Sequence, residues 1–119
     1  MLLQTVSPVQ VLGTVVLFAI FLSITAHLAA RNVLGAVDPR RALYVGPLPA
    51  VVGVVGGAFS LPAFLTVPVA LALDAAMFHW SYERDRRVTL AMTAIHVVIT
   101  VLLGVVLGGI VLLLATRPT

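Results

Sequence analysis

Ionisable side chains are scarce in this 119-residue chain, and that makes those inside its apolar stretches informative. Away from the short charged segments stand His27, Asp74, His79 and His96, with Ser23, Thr25, Thr66, Thr89, Thr93 and Thr100 as the accompanying hydroxyls. Asp74 and His96 flank the charged segment 81–87, whose midpoint is near residue 85. If the stretches on either side pair as antiparallel helices, positions 74 and 96 lie level with one another. A carboxylate beside an imidazole can share or pass a proton, or bind a small cation. An unpaired aspartate in a bilayer costs about 2.5–3.5 kcal/mol on insertion scales, so a partner is expected. The same pair can equally serve as an interhelical hydrogen bond with no transport role. Thr89, Thr93, His96, Thr100, Gly104 and Gly108 follow at spacings of four, three, four, four and four, which puts them on one slowly drifting helical stripe.

His27 is a weaker candidate, near the end of its apolar stretch and within reach of Tyr44. His79 is five residues from Asp74, about 140° around a helix, and abuts Trp80. At 1.5 Å rise per residue, the depths inside the charged segments are roughly 6 Å for His27, 9 Å for Asp74 and 13 Å for His96. A haem held by His27 and His96 would have to bridge that difference of about 7 Å. A metal site would draw on His27, Asp74, His96 and His79. The candidate intramembrane polar site is therefore Asp74, His96, His27 and Thr100, with no cofactor expected.

These residues are positioned by four long apolar stretches. The composition is 61% hydrophobic and 9% charged, with mean hydropathy +1.19, against about 25% charged residues in a soluble domain. The expected fold is all-α: a four-helix transmembrane bundle of two tandem hairpins, forming one integral membrane domain. Its spans fall at about 8–30, 39–59, 61–80 and 88–115. Ser7–Pro8 and Asp38–Pro39 read as caps followed by proline in the first turn. Pro47 and Pro49 should kink span two or break its first half, and Pro68 should kink span three. The N-terminal stretch lacks a positive region and reads as a retained span.

The chain has no lysine and no cysteine, and its net charge is +3. That composition excludes disulfides, thiolate metal sites, P-loop chemistry and lysine Schiff bases. The basic charge does not indicate nucleic acid, because the arginines flank apolar spans. Arg31, Arg40 and Arg41 lie in the first connection and Arg84, Arg86 and Arg87 in the third, leaving only Arg117 elsewhere. The positive-inside rule then places 31–38 and 81–87 in the cytoplasm of a cell-membrane protein, with both termini outside. Tyr44, Trp80 and Tyr82 sit where an interfacial aromatic belt belongs.

Gly46, Ala50, Gly53 and Gly57 form one small-residue face, and Gly104 and Gly108 form a G-x-x-x-G pair. Both patterns suit close helix packing, within the bundle or between copies. The segments Thr25–Gly35, Asp38–Leu43 and Val45–Pro49 resemble those of small four-span membrane proteins of halophilic archaea with no assigned function. That resemblance implies membrane location and supplies no active residues. Function is expected to be non-enzymatic: a small subunit of a larger assembly, or a self-associating bundle, with the bilayer as its surroundings. The alternative is a proton or cation transporter or channel component using Asp74 and His96, and the third reading is a haem- or metal-binding redox protein.

Overall fold

The computed structural model describes residues 7–118. The extreme ends, residues 1–6 and 119, lie outside the described residues, so the expected side of the termini is represented by Ser7 and Pro118. All regular structure described is helical: α1 (Pro8–Leu34), a 3-10 turn (Pro39–Tyr44), α2 (Pro47–Ala58), α3 (Ala63–Tyr82) and α4 (Arg86–Thr116). Four segments are long and apolar enough to cross a membrane, with the 3-10 turn and α2 together making the second. Helix α1 packs on α2 and α4, α2 on α3, and α3 on α4.

Local sequence accounts for most boundaries. Ser7 and Gln10 exchange capping bonds of 3.1 Å ahead of α1, satisfying two amides the helix cannot. Helix α1 runs to Leu34, beyond the expected end at Ala30, because the stop is Gly35 at φ +83° rather than Arg31. Asp38 accepts from the Arg40 amide at 3.0 Å. Pro47 and Pro49 remove donors that an α-helix would use, so residues 39–44 tighten into the 3-10 turn and the α-helix starts at Pro47. Helix α3 continues through Pro68. Asp85 accepts from the Val88 amide at 2.9 Å and starts α4.

The core is lopsided. Every buried residue of α1 lies between Ser23 and Ala30, and every buried residue of α4 between Thr89 and His96. Of these, Ala26, Ala29, Ala30 and Met92 form a cluster with Ala42, Val45, Phe78 and Tyr82 at the end of the bundle that carries the two arginine segments. We call this the loop end and the opposite one the terminal end. Alanines at 26, 29 and 30 let the α1 backbone come close there. Ser81 Oγ donates to the Arg41 carbonyl at 2.7 Å, and Arg41 Nη1 donates back to the Ser81 carbonyl, joining the 3-10 turn to the end of α3. Tyr44 and Trp80 meet edge-to-face at 5.5 Å beside this clasp.

Toward the terminal end the helices splay, which corrects part of the expected small-residue packing. Gly46 and Ala50 are buried as expected. A Cβ on Gly46 would collide with the α1 backbone, 2.6 Å from Ser23 N and 2.7 Å from Ala19 O, and with the Ser23 hydroxyl. Gly53 and Gly57 continue the same face but have nothing within 4 Å of a would-be Cβ. There α1 has diverged, leaving an open cleft of about 740 Å³ lined by Gly13, Thr14, Phe18, Gly53 and Gly57. The close glycine contact in this half is instead Gly56, whose Cβ would stand 2.5 Å from Thr66 Cγ2. Gly104 and Gly108 also face open space, on a stretch of α4 exposed from Gly104 onward. They pack nothing within the chain.

Gly46→Ala should therefore destabilise the bundle by about 1–3 kcal/mol through overpacking against α1. Gly108→Ala should be neutral or slightly stabilising in the monomer. Thermal unfolding of both variants in mild detergent checks this, and equal stability would contradict the packing described.

Candidate functional site

The polar centre of the bundle is built by three helices around His96. Helix α4 presents it from the last buried position of its Thr89–Thr93–His96 stripe, and all three side chains are buried. Helix α3 brings Asp74, 4% exposed, and His96 Nδ1 stands 2.5 Å from Asp74 Oδ2. Helix α1 closes the other side: His96 Nε2 is 2.7 Å from Thr25 Oγ1 and 3.1 Å from the Leu22 carbonyl. Thr25 Oγ1 donates to that same carbonyl at 3.0 Å, and Thr100 Oγ1 donates to Thr25 Oγ1 at 3.1 Å. Phe78 lies edge-to-face on the imidazole, 5.4 Å between centroids, on the loop side.

These contacts suit one arrangement of protons. A carbonyl oxygen only accepts, so Nε2, 3.1 Å from Leu22 O, carries the hydrogen in it. Thr25 then accepts from His96 and from Thr100 while its own hydrogen goes to Leu22. With one proton between Nδ1 and Oδ2, on either partner, the pair is neutral as a whole. That neutrality removes most of the cost of burying an isolated charge among apolar side chains. Asp74 Oδ1 is left over, buried and without a hydrogen-bond partner among the described residues. Asp74, His96 and Thr100 border a crevice of about 200 Å³, otherwise walled by apolar side chains from all four helices.

The other candidates fall elsewhere. His27 is half-buried and borders a separate pocket with Ser23, Pro39 and Leu43; its Nδ1 lacks a partner. The expected reach to Tyr44 is replaced by the Tyr44–Trp80 contact. His79 is exposed, with Nδ1 3.5 Å from Thr89 Oγ1. Paired haem ligation by His27 and His96 is incompatible with this geometry, because both ring nitrogens of His96 are engaged within the protein. No group of three or more His, Cys, Asp or Glu able to hold a metal occurs among the described residues. The component not singled out from the sequence is Thr25. Its signal is Leu22, Thr25, Ala26 and Ala29, spaced as one helical face with small residues on either side of the hydroxyl.

Interhelical polar contacts in membranes couple by about 0.6 kcal/mol on average and about 1.7 at most. A double-mutant cycle of Asp74→Ala and His96→Ala should give coupling near the upper figure, because the contact is short and fully buried. Additive losses in detergent unfolding would contradict the pairing.

No curated protein and no solved structure matches the chain. Residues 5–118, nearly its whole length, match the family described as Family of unknown function (DUF7473). The lopsided bundle with its single buried Asp74–His96 junction thus belongs to a member of that family, DUF7473.

Proposed function

We propose that this protein is a single-domain, multi-pass integral membrane protein, non-enzymatic, whose Asp74–His96 pair is an exchangeable proton site. The observation that carries the reading is the half-satisfied carboxylate. A hydrogen bond serving only to hold helices together gains nothing from a buried oxygen left without a partner, which costs about 1–3 kcal/mol. A site that takes up and releases a proton needs such a vacant acceptor beside an accessible space. The one proton held between Nδ1 and Oδ2, in a pair whose other ring nitrogen is anchored on Thr25, gives it the chemistry of a proton or cation pathway component.

In this reading the loop end faces the cytoplasm and Ser7 and Pro118 lie outside, supported by six arginines at the loop end and one at the other. The resemblance to four-span proteins of halophilic archaea is in keeping with a cell-membrane location. A second reading, self-association, is favoured by one observation: glycines 53, 57, 104 and 108 all have open space where a Cβ would stand.

Two measurements test the proposal. Reconstituted into vesicles with an internal pH dye, the protein should move protons down a gradient, and Asp74→Asn should reduce the movement to the empty-vesicle rate. Wild-type vesicles no leakier than empty ones would refute transport. Because the chain has no cysteine, Asn32→Cys and Asp85→Cys should be shielded from an impermeant thiol reagent in intact cells, while Ser7→Cys reacts. The reverse pattern would overturn the orientation.

A further inference from the structure

Asp74 Oδ1 is a hydrogen-bond acceptor in a place where acceptors are rarely left alone. Its residue is 96% buried by the complement of its 4% exposure, its other oxygen is taken by His96, and it borders the crevice toward the terminal end. The walls there are Leu22, Val67, Leu71, Val97 and Val101, with Pro49 behind. Four of them, Val67, Leu71, Val97 and Val101, are exposed on the bundle's outer surface. In a bilayer the crevice therefore opens between α3 and α4 into lipid. On the loop side Phe78, fully buried, packs edge-to-face on the His96 ring.

The occupant must satisfy one acceptor in an otherwise apolar niche. A lipid tail fills the walls and leaves Oδ1 alone. A water molecule needs two to four polar partners. Both His96 nitrogens are already engaged, so only Oδ1 and the Thr100 hydroxyl remain for it, the lower limit of that range, and a lone water leaves the apolar walls unfilled. A molecule with a single donor and a small apolar body meets both demands.

We infer that this crevice is a binding site for a small lipid-soluble hydrogen-bond donor, an alcohol, phenol or amine, that enters from the bilayer and donates to Asp74 Oδ1. The inference deepens the proton-site reading and rests on it for the engagement of Oδ2 with His96. The bound donor's hydrogen would sit beside the proton the pair already holds, so occupancy and proton exchange would be linked at one carboxyl group.

The test uses the full chain in mild detergent and dicyclohexylcarbodiimide, an apolar reagent. A carboxyl group adds across its C=N bond with no atom lost, so intact mass and peptide mapping locate the adduct. Asp74 should be labelled, whereas a water-soluble carbodiimide should label only the exposed Asp38, Glu83 and Asp85. Labelling of Asp74 should slow roughly tenfold with 4-methylphenol at roughly ten times its dissociation constant. It should be unaffected by 1,4-dimethylbenzene, which has the same shape without the donor. Val97→Phe, which narrows the crevice and leaves the pair intact, should block labelling and keep the wild-type melting temperature. Absence of Asp74 labelling in the wild type, or equal protection by both aromatic compounds, would overturn the inference. The proton site is judged separately by vesicle flux: flux with no donor-specific protection refutes only the binding site, and protection with no flux refutes only the transport.

Discussion

The constraint on which the rest of the structure depends is that a carboxyl group buried among apolar helices must find a partner. Asp74 finds it in His96, and the consequences spread outward. The imidazole is then fixed by its second nitrogen, which draws Thr25 and the Leu22 carbonyl of α1 into the same network. Three helices are thereby held at one level by contacts whose geometry is much narrower than that of leucine and valine sliding over one another. Where lipid surrounds helices it offers them little hydrophobic reason to associate, and small residues and polar contacts then set the arrangement. The buried small residues Ala26, Ala29, Ala30, Gly46 and Ala50 surround that junction or lie nearer the loops.

The division of the bundle into a packed end and a splayed end follows from where those residues are. At the loop end, the Arg41–Ser81 clasp and the Phe78–Met92–Tyr82 packing leave little free space around the imidazole. At the terminal end, α1 and α2 part around Gly13, Gly53 and Gly57, and α4 is exposed from Gly104 onward. The polar junction lies at the boundary between the two regimes. One face of Asp74 is sealed and the other borders a crevice, and this asymmetry makes the residue a candidate for chemistry rather than for helix contact alone.

Much of this was legible in the sequence, for identifiable reasons. Helix number and two of the caps follow from apolar length and from Ser7–Pro8 and Asp38–Pro39. The level of Asp74 with His96 follows from counting along an antiparallel hairpin, since helical rise per residue is nearly constant. The part played by Thr25 did not emerge, because facing between α1 and α4 depends on rotation about both helix axes, which counting along one hairpin does not constrain. The glycine faces did not tell which of their contacts lie within the bundle, for a related reason. Gly53 and Gly57 share an angular face with Gly46, but whether a face is covered depends on how far two axes diverge, and periodicity carries no information on divergence. The overrun of α1 to Leu34 is a simpler case: a basic residue marks the membrane edge, whereas a glycine at positive φ marks the helix end, and here the two are four residues apart.

The central claim is that the Asp74–His96 pair holds one proton inside the bundle. The most direct measurement is nitrogen-15 magnetic resonance of the imidazoles in protein labelled only at its histidines, embedded in lipid. The account predicts that His96 shows a protonated Nε2 and a far-downfield hydrogen-bonded proton at Nδ1 that exchanges slowly with solvent and disappears in Asp74→Asn. An Nε2 without a proton, or an Nδ1 proton exchanging as fast as that of the exposed His79, would contradict it.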